Sequence, residues 1–502
     1  MQLFEILIVV FAAALRVLPM RLVPHGGGVD QWYWRAYIER VRENRSFPPR
    51  LEQFRLEIAQ WYPPFFPWLM ARLPAWVFDQ CAGYFSVCLD LLRMGMLMWV
   101  ARQISGSSDV AILAGLVYAS TPVLTTYNLQ LNPRGLGALF FDAAWLCMIG
   151  VVLESSWPWW IAAVPAGFML MTHKMATQLF VFVCIVFGIV FLDLRFGLLL
   201  LLSVLVAMLI SKGFYWYVFR HHWDIVRFWY RNWYWMGSNP VLESPIYGEA
   251  DFESPSKYYR SGWRAAIRRL TFVTGFNPWM PAVLAVGAIA WWYGHEFSQL
   301  QTWAFLWLAA TFAFALLTTL VPALRCFGQG YLYGYNGSFP AALAMGLIWP
   351  DVNQTWYGLG VLVVTVGASF LALIAFFRTL RNSRTLKVDD GLNGALLRLR
   401  ELETGVVMCL PQHWHDVVAY RANKPVTFGG HGYGFRLIQQ VFPRLLVPVK
   451  DFIRQNNVAY LLLWPAYVNQ KFLDDLPPAE VEAFGDYRLY KFTALQEIRH
   501  DA

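Results

Sequence analysis

Apolar runs recur along the first three quarters of the chain at a length that limits what they can become. A bilayer core of about 30 Å is crossed by roughly 20 helical residues, and on that ruler about eleven spans are expected. They lie near residues 3–20, 82–103, 110–127, 135–153, 158–173, 176–193, 196–219, 279–294, 302–322, 331–349 and 356–377. Helix is the required form, because lipid offers backbone N–H and C=O groups no partner. Composition agrees: 58% of the 502 residues are hydrophobic and 14% charged, more apolar surface than a soluble chain of this length can bury. The run ending at Leu18 has neither a basic n-region nor a small-residue cleavage site, so it reads as a retained span.

Two long segments interrupt the spans, 21–81 and 220–278. In the first, Gly26-Gly27-Gly28 lets the chain turn sharply, and Val29 to Arg45 then places Trp32, Tyr33, Ala36, Tyr37 and Val41 at helical spacing. That pattern predicts an amphipathic helix with an aromatic face resting on lipid. Trp61 to Leu73 is apolar but interrupted by Pro63, Pro64 and Pro67, and reads as a partly immersed re-entry element. In the second, H-H-W-D-I-V-R-F-W-Y-R-N-W-Y-W predicts another surface helix. The Gly-, Pro- and Ser-rich stretch Gly237 to Lys257 reads as a segment able to cover a site.

After Phe377 the character changes. Strand-like runs (Val406–Leu410, Ala459–Trp464, Tyr487–Phe492) alternate with helix-like ones (Trp414–Asn423, Val449–Gln455, Ala466–Leu476). The expectation is an all-α polytopic membrane domain over 1–378, carrying the outer loops, and a small soluble α/β domain over 385–502. The glycine run 429–434 reads as a plain loop, since no helix-opening G-x-G-x-x-G follows a strand there.

Charge narrows the partners. The formal +8 is dispersed among loops instead of drawn into a stripe, which excludes nucleic acid and points to anionic lipid or phosphate. The six cysteines show neither a disulfide framework nor metal-ligand spacing. Asp90 and Arg93, one helical turn apart inside a span, are expected to neutralise each other; Asp142 has no partner nearby in sequence.

The most informative stretch is H-G-G-G-V-D-Q-W-Y-W-R, residues 25–35, followed by Q-W-Y-P-P-F-F-P-W-L, residues 60–69. Asp30 sits on a glycine-rich turn just past the first span, at the boundary of water and lipid. As a bare sequence feature, Asp before Gln-Trp-Tyr-Trp also suits a helix N-cap. A first span, an Asp soon after it, an amphipathic helix, a Tyr62-Pro63-Pro64 return, many further spans and a soluble C-terminal domain together resemble the GT-C superfamily of membrane glycosyltransferases. Oligosaccharyltransferase catalytic subunits, protein O-mannosyltransferases and lipid A aminoarabinose transferases belong to that superfamily. The segment P-A-L-R-C-F-G-Q-G-Y-L-Y, residues 322–333, is similar to the region where many of these enzymes carry an Arg-Tyr pair, but here Gly330-Tyr331 stands in that place.

The resemblance implies an inverting transferase that moves a sugar from a polyprenyl-phosphate or pyrophosphate carrier to a glycan, lipid or protein acceptor. It would act in the cytoplasmic membrane with its active site facing outward. Such chemistry needs a base for the acceptor proton and positive charge for the departing phosphate. Asp30 is the expected base. Lys174 and Arg325, then Arg134 and Arg220, are the expected phosphate ligands, with snorkelling to the interface as the competing role. His25, Tyr62, His173, Tyr331 and His222 are the expected substrate- or acceptor-binding residues. No cofactor is firmly expected: the loop N-L-Q-L-N-P-R-G, residues 128–135, lacks the acidic pair that binds metal in oligosaccharyltransferases. His25, His221, His222 and Asp224 are what remains for a divalent ion. A polymerase or ligase of lipid-linked glycans, and a transporter or flippase with a polar path through Asp90, Arg93, Asp142 and Lys212, remain as alternatives.

Overall fold

The apolar runs fold as helices, and breaks in the sequence decide where each one stops. The structure, a computed structural model, describes residues 3–23, 25–56, 58–152, 158–235, 241, 244–247, 262–383, 387–429 and 437–492. Most of Gly237–Lys257 and nearly all of the glycine run lie outside the described residues. In chain order the first helices are α1 (Leu3–Val17), α2 (Gln31–Asn44), α3 (Phe65–Met70), α4 (Ala75–Ser105), α5 (Ser108–Ala119), α6 (Pro122–Tyr127) and α7 (Arg134–Cys147). There follow α8 (Ile149–Val152), α9 (Ala163–Leu170), α10 (Lys174–Val190), α11 (Arg195–Ile210), α12 (Phe214–Asn232), α13 (Trp263–Phe276) and α14 (Trp279–Trp292). Then come α15 (Gln299–Leu320), α16 (Gly334–Val352), α17 (Trp356–Asn382) and α18 (Asp390–Glu401).

Among the described residues, five helical stretches are long and apolar enough to cross a membrane: Leu3–Leu22, Ala75–Ser105, Arg134–Val151, Gln299–Leu320 and Trp356–Asn382. A sixth is added if α13 and α14, bent by 89°, count as one span. The chain is thus a multi-pass membrane protein. Several other expected spans are interrupted helices. Pro122 starts α6 where α5 has ended, having no N–H to continue the ladder, and the turn at 211–213 divides the expected span 196–219 between α11 and α12.

By contacts the chain divides into two units, with cuts at 22/23, 74/75, 217/218, 265/266 and 382/383. One unit comprises 1–22, 75–217 and 266–382; the other comprises 23–74, 218–265 and 383–502. In the first, four charges are fully buried among the described residues: Arg16, Asp90, Arg93 and Asp142. Arg16 Nε donates to Asp90 Oδ2 at 2.8 Å, and its other nitrogens donate to the carbonyls of Ala119 and Tyr118. Tyr118 Oη donates to Asp90 Oδ1 at 2.7 Å. Arg93 pairs with Asp142 and donates to the carbonyls of Tyr335 (2.9 Å) and Asn336 (3.1 Å). The expected Asp90–Arg93 pair is therefore corrected: each reaches a different helix, so the charges join α1, α4, α5, α7 and α16.

The second unit gathers three separate segments. Its sheet has the order β1-β2-β4-β3, from β1 (Val406–Leu410), β2 (Val458–Leu463), β3 (Ala479–Phe484) and β4 (Tyr487–Phe492). β1 and β2 are parallel and the other pairs antiparallel. β3, which has no counterpart among the strand-like runs above, mixes half-buried and exposed residues at the sheet edge. Residues 425–427 run along β1. The first loop pairs with them in turn, Arg55 N–H donating to Val426 O and Val426 N–H to Gln53 O.

This packing corrects the lipid-resting reading of α2. Trp32, Tyr33, Ala36, Tyr37 and Val41 are all buried inside the unit, with Trp34 edge-on to Tyr62 at 4.7 Å. The expected re-entry element is a packed turn, with Trp61 and Phe66 buried, ending in the short α3. In α12, by contrast, Trp216, Phe219, Trp223 and Tyr230 point outward on one helical face.

Candidate active site

Each unit holds part of the residue set. In the first unit, Arg134 and Lys174 are the opening residues of α7 and α10. Both cations therefore stand at the positive end of a helix dipole. That placement is unfavourable by about 0.3–1 kcal/mol each at an exposed site, and an anion would offset it. The Arg134 guanidinium lies 4.4 Å from the Tyr127 ring centroid, and donates to Leu332 O at 3.3 Å. It also comes within 3.9 Å of Met175 Sδ, beside Lys174. Tyr333 Oη lies 2.7 Å from both Gln178 Oε1 of α10 and Phe327 O. These contacts tie the starts of α7 and α10 to the segment 322–333, where Arg325 is buried in a 3-10 turn. Three of the four expected phosphate ligands thus come from elements that meet.

The departure at Gly330 has a steric reason. A Cβ there would fall 2.0 Å from both Ala315 O and Thr319 Oγ1 of α15, so no side chain fits. Tyr331 is half-buried and packs on Phe276 of α13 at 4.8 Å. Arg269, one helical turn before Val273 on the same α13, is also buried. The sequence reading passed it over, although W-R-A-A-I-R-R has amphipathic spacing. His173, expected to contact substrate, is instead buried as the N-cap of α10, its Nδ1 accepting from Ala176 N–H at 3.4 Å.

In the second unit, Asp30 occupies the N-cap position of α2, yet its side chain makes no capping hydrogen bond. The turn before it uses positive φ at Gly26 and Gly28, a conformation glycine adopts without strain. His25 Nε2 lies 3.0 Å from Asp390 Oδ1. Tyr62, an expected acceptor contact, is instead a core residue whose carbonyl accepts from Tyr37 Oη at 3.2 Å. Arg220 is exposed on α12 and His222 half-buried. Among the described residues no three His, Cys, Asp or Glu side chains gather as a metal site. The set His25, His221, His222 and Asp224 is accordingly not assembled; His221 stacks on Trp61 at 6.1 Å.

The fold built from these helices, the packed first loop and the small sheet is shared with solved structures. The likeness is carried by two crystal structures of ArnT from Cupriavidus metallidurans, one in the apo state and one bound to undecaprenyl phosphate. They match with TM-scores of 0.58 and 0.59 at 15% identity, over 97% of this chain and 98% of that one. At that identity the similarity is one of fold. No family model and no curated protein matches the sequence.

Proposed function

We propose that the protein is an inverting membrane glycosyltransferase that takes a sugar from a polyprenyl-phosphate carrier. The observation that carries this reading is the pair of cations opening α7 and α10 beside the buried Arg325 turn, in a fold that ArnT also uses while bound to undecaprenyl phosphate. A cluster of positive charge at helix N-termini suits a phosphate, and a lipid phosphate reaches it from the bilayer. In this reading the eleven apolar segments are the spans, the sheet-bearing segment 385–502 is soluble, and Asp30 faces the outside of the cytoplasmic membrane.

The chemistry follows from the parts. Asp30 accepts the proton of the acceptor hydroxyl, whose oxygen attacks the anomeric carbon. The bond from that carbon to the phosphate oxygen breaks, and the phosphate leaves with the electron pair, steadied by Arg134, Lys174 and Arg325. The buried ion pairs favour an enzyme over a carrier, because Asp90, Arg93 and Asp142 are neutralised within the helix packing instead of lining a path. Purified protein supplied with a radiolabelled polyprenyl-phosphate sugar and membrane glycolipid extract should transfer label, and Asp30→Asn should abolish transfer with an unchanged melting temperature. Transfer by the variant at near the wild-type rate would remove Asp30 from this role.

A further inference from the structure

The second unit carries an open, water-facing cleft that the transfer reaction does not use. It has a volume of about 550 Å³ and is lined by Glu39 of α2, Arg400 of α18, Thr404, Tyr420, Arg421 and Lys424, among others. That size suits a small polar ligand.

The charges in it do not balance. Glu39 is the one carboxylate among the lining residues, and it already accepts from Tyr420 Oη at 3.0 Å. Against it stand three cations whose partners are all neutral. Arg421 donates to Asn393 Oδ1 at 2.7 Å and to His25 O at 3.4 Å. Lys424 donates to Leu402 O and is buried. Arg400 makes no ion pair among the described residues and is exposed. Burial pushes both Arg421 and Lys424 below their ordinary pKa, the signature of desolvated cations lacking a counter-charge. Arg421 also lies over the Trp32 ring at 5.7 Å.

A second cleft, of about 450 Å³, continues from the first and shares Glu39, Asn423 and Lys424 with it. Its own charges cancel: Arg40 pairs with Glu43 at 3.0 Å and with Glu52 at 3.5 Å. A ligand lying along both would meet net positive charge at one end and paired polar groups, able to hydrogen-bond hydroxyls, at the other.

We infer that these joined clefts bind an anionic sugar, its phosphate or carboxylate against Arg400, Arg421 and Lys424 and its hydroxyls toward Arg40, Glu43 and Glu52. The inference does not rest on the transfer reaction, because every residue in it belongs to the second unit. Full-length protein in detergent micelles is titrated calorimetrically with glucose 6-phosphate, glucuronate, glucose and inorganic phosphate. Both anionic sugars should bind and glucose should not. Arg400→Glu, on an exposed helical position where folding is untouched, should weaken both at least tenfold. Arg421→Gln should do the same, and Arg134→Gln with Lys174→Gln should leave the binding unchanged, which separates this site from the lipid phosphate. Affinities unmoved by Arg400→Glu, or no binding of either anionic sugar, would overturn the site. Inorganic phosphate binding as tightly as glucose 6-phosphate would overturn the sugar half of it.

Discussion

His415 is held as one tautomer by its neighbours. Its Nε2 accepts from Cys409 N–H and lies 3.0 Å from Thr427 Oγ1, while Nδ1–H donates to Gln412 O at 2.6 Å. Adding a proton to Nε2 would cost the hydrogen bond from Cys409 N–H, and burial pushes the imidazole down to about 4. His413, two residues earlier, is lowered to about 4 by the same cause. A depressed histidine pKa means the unfolded chain binds the proton more tightly, so stability present above about pH 6.5 is lost as pH falls toward 4. For His415 the loss is on the order of 3 kcal/mol. Melting of the purified protein followed from pH 7.5 to 4.5 should fall across that window, and His415→Gln should flatten the fall. Other single residues speak less clearly from sequence. The turn before Asp30 was legible because its glycines and the following aromatic helix mark the spot, whereas the need for glycine at 330 depends on a helix fifteen residues away in chain and only contact shows it.

At the scale of elements, the buried ion pairs decide how the helices of the first unit are joined. Removing one member of such a pair leaves the other charge buried and uncompensated, which typically costs about 3–5 kcal/mol. Asp142→Ala should therefore lower the melting temperature in detergent sharply, and Arg93→Met combined with Asp142→Leu should recover much of the loss. No recovery in the double variant would show that the carbonyls of Tyr335 and Asn336, which also accept from Arg93, matter more than the pair. Elements also show where hydrophobic patterning stops being informative. The aromatic faces of α2 and α12 look alike in sequence, but one is core and the other points outward, because an apolar stripe is satisfied equally by lipid and by protein. Trp34→Ala should destabilise the fold by about 3–5 kcal/mol, and Trp223→Ala should leave the melting temperature in detergent unchanged. Equal stability losses from the two would contradict the assignment of the faces.

For the whole molecule, the sequence made the helical membrane character and three of the four strands legible, because both depend on local length and period. The grouping of segments was not legible. Residues 23–74, 218–265 and 383–502 form one unit through pairings such as Phe54 with Val426, and no local pattern announces a partner several hundred residues away. Likewise the cations Arg134, Lys174 and Arg325 could be picked out one at a time by position, but that the elements carrying them meet is a property of the fold.

The proposed function requires the starts of α7 and α10, with the segment 322–333, to hold a lipid phosphate. The most direct measurement is the affinity of full-length protein for undecaprenyl phosphate in mixed micelles, in the wild type, in Arg134→Gln/Lys174→Gln and in Asp30→Asn. Loss of a charge-assisted contact is worth about 1.5–3 kcal/mol, so the double variant should bind at least tenfold more weakly, with Asp30→Asn binding as the wild type does. Unchanged affinity in the double variant, with its fold intact, would contradict the claim.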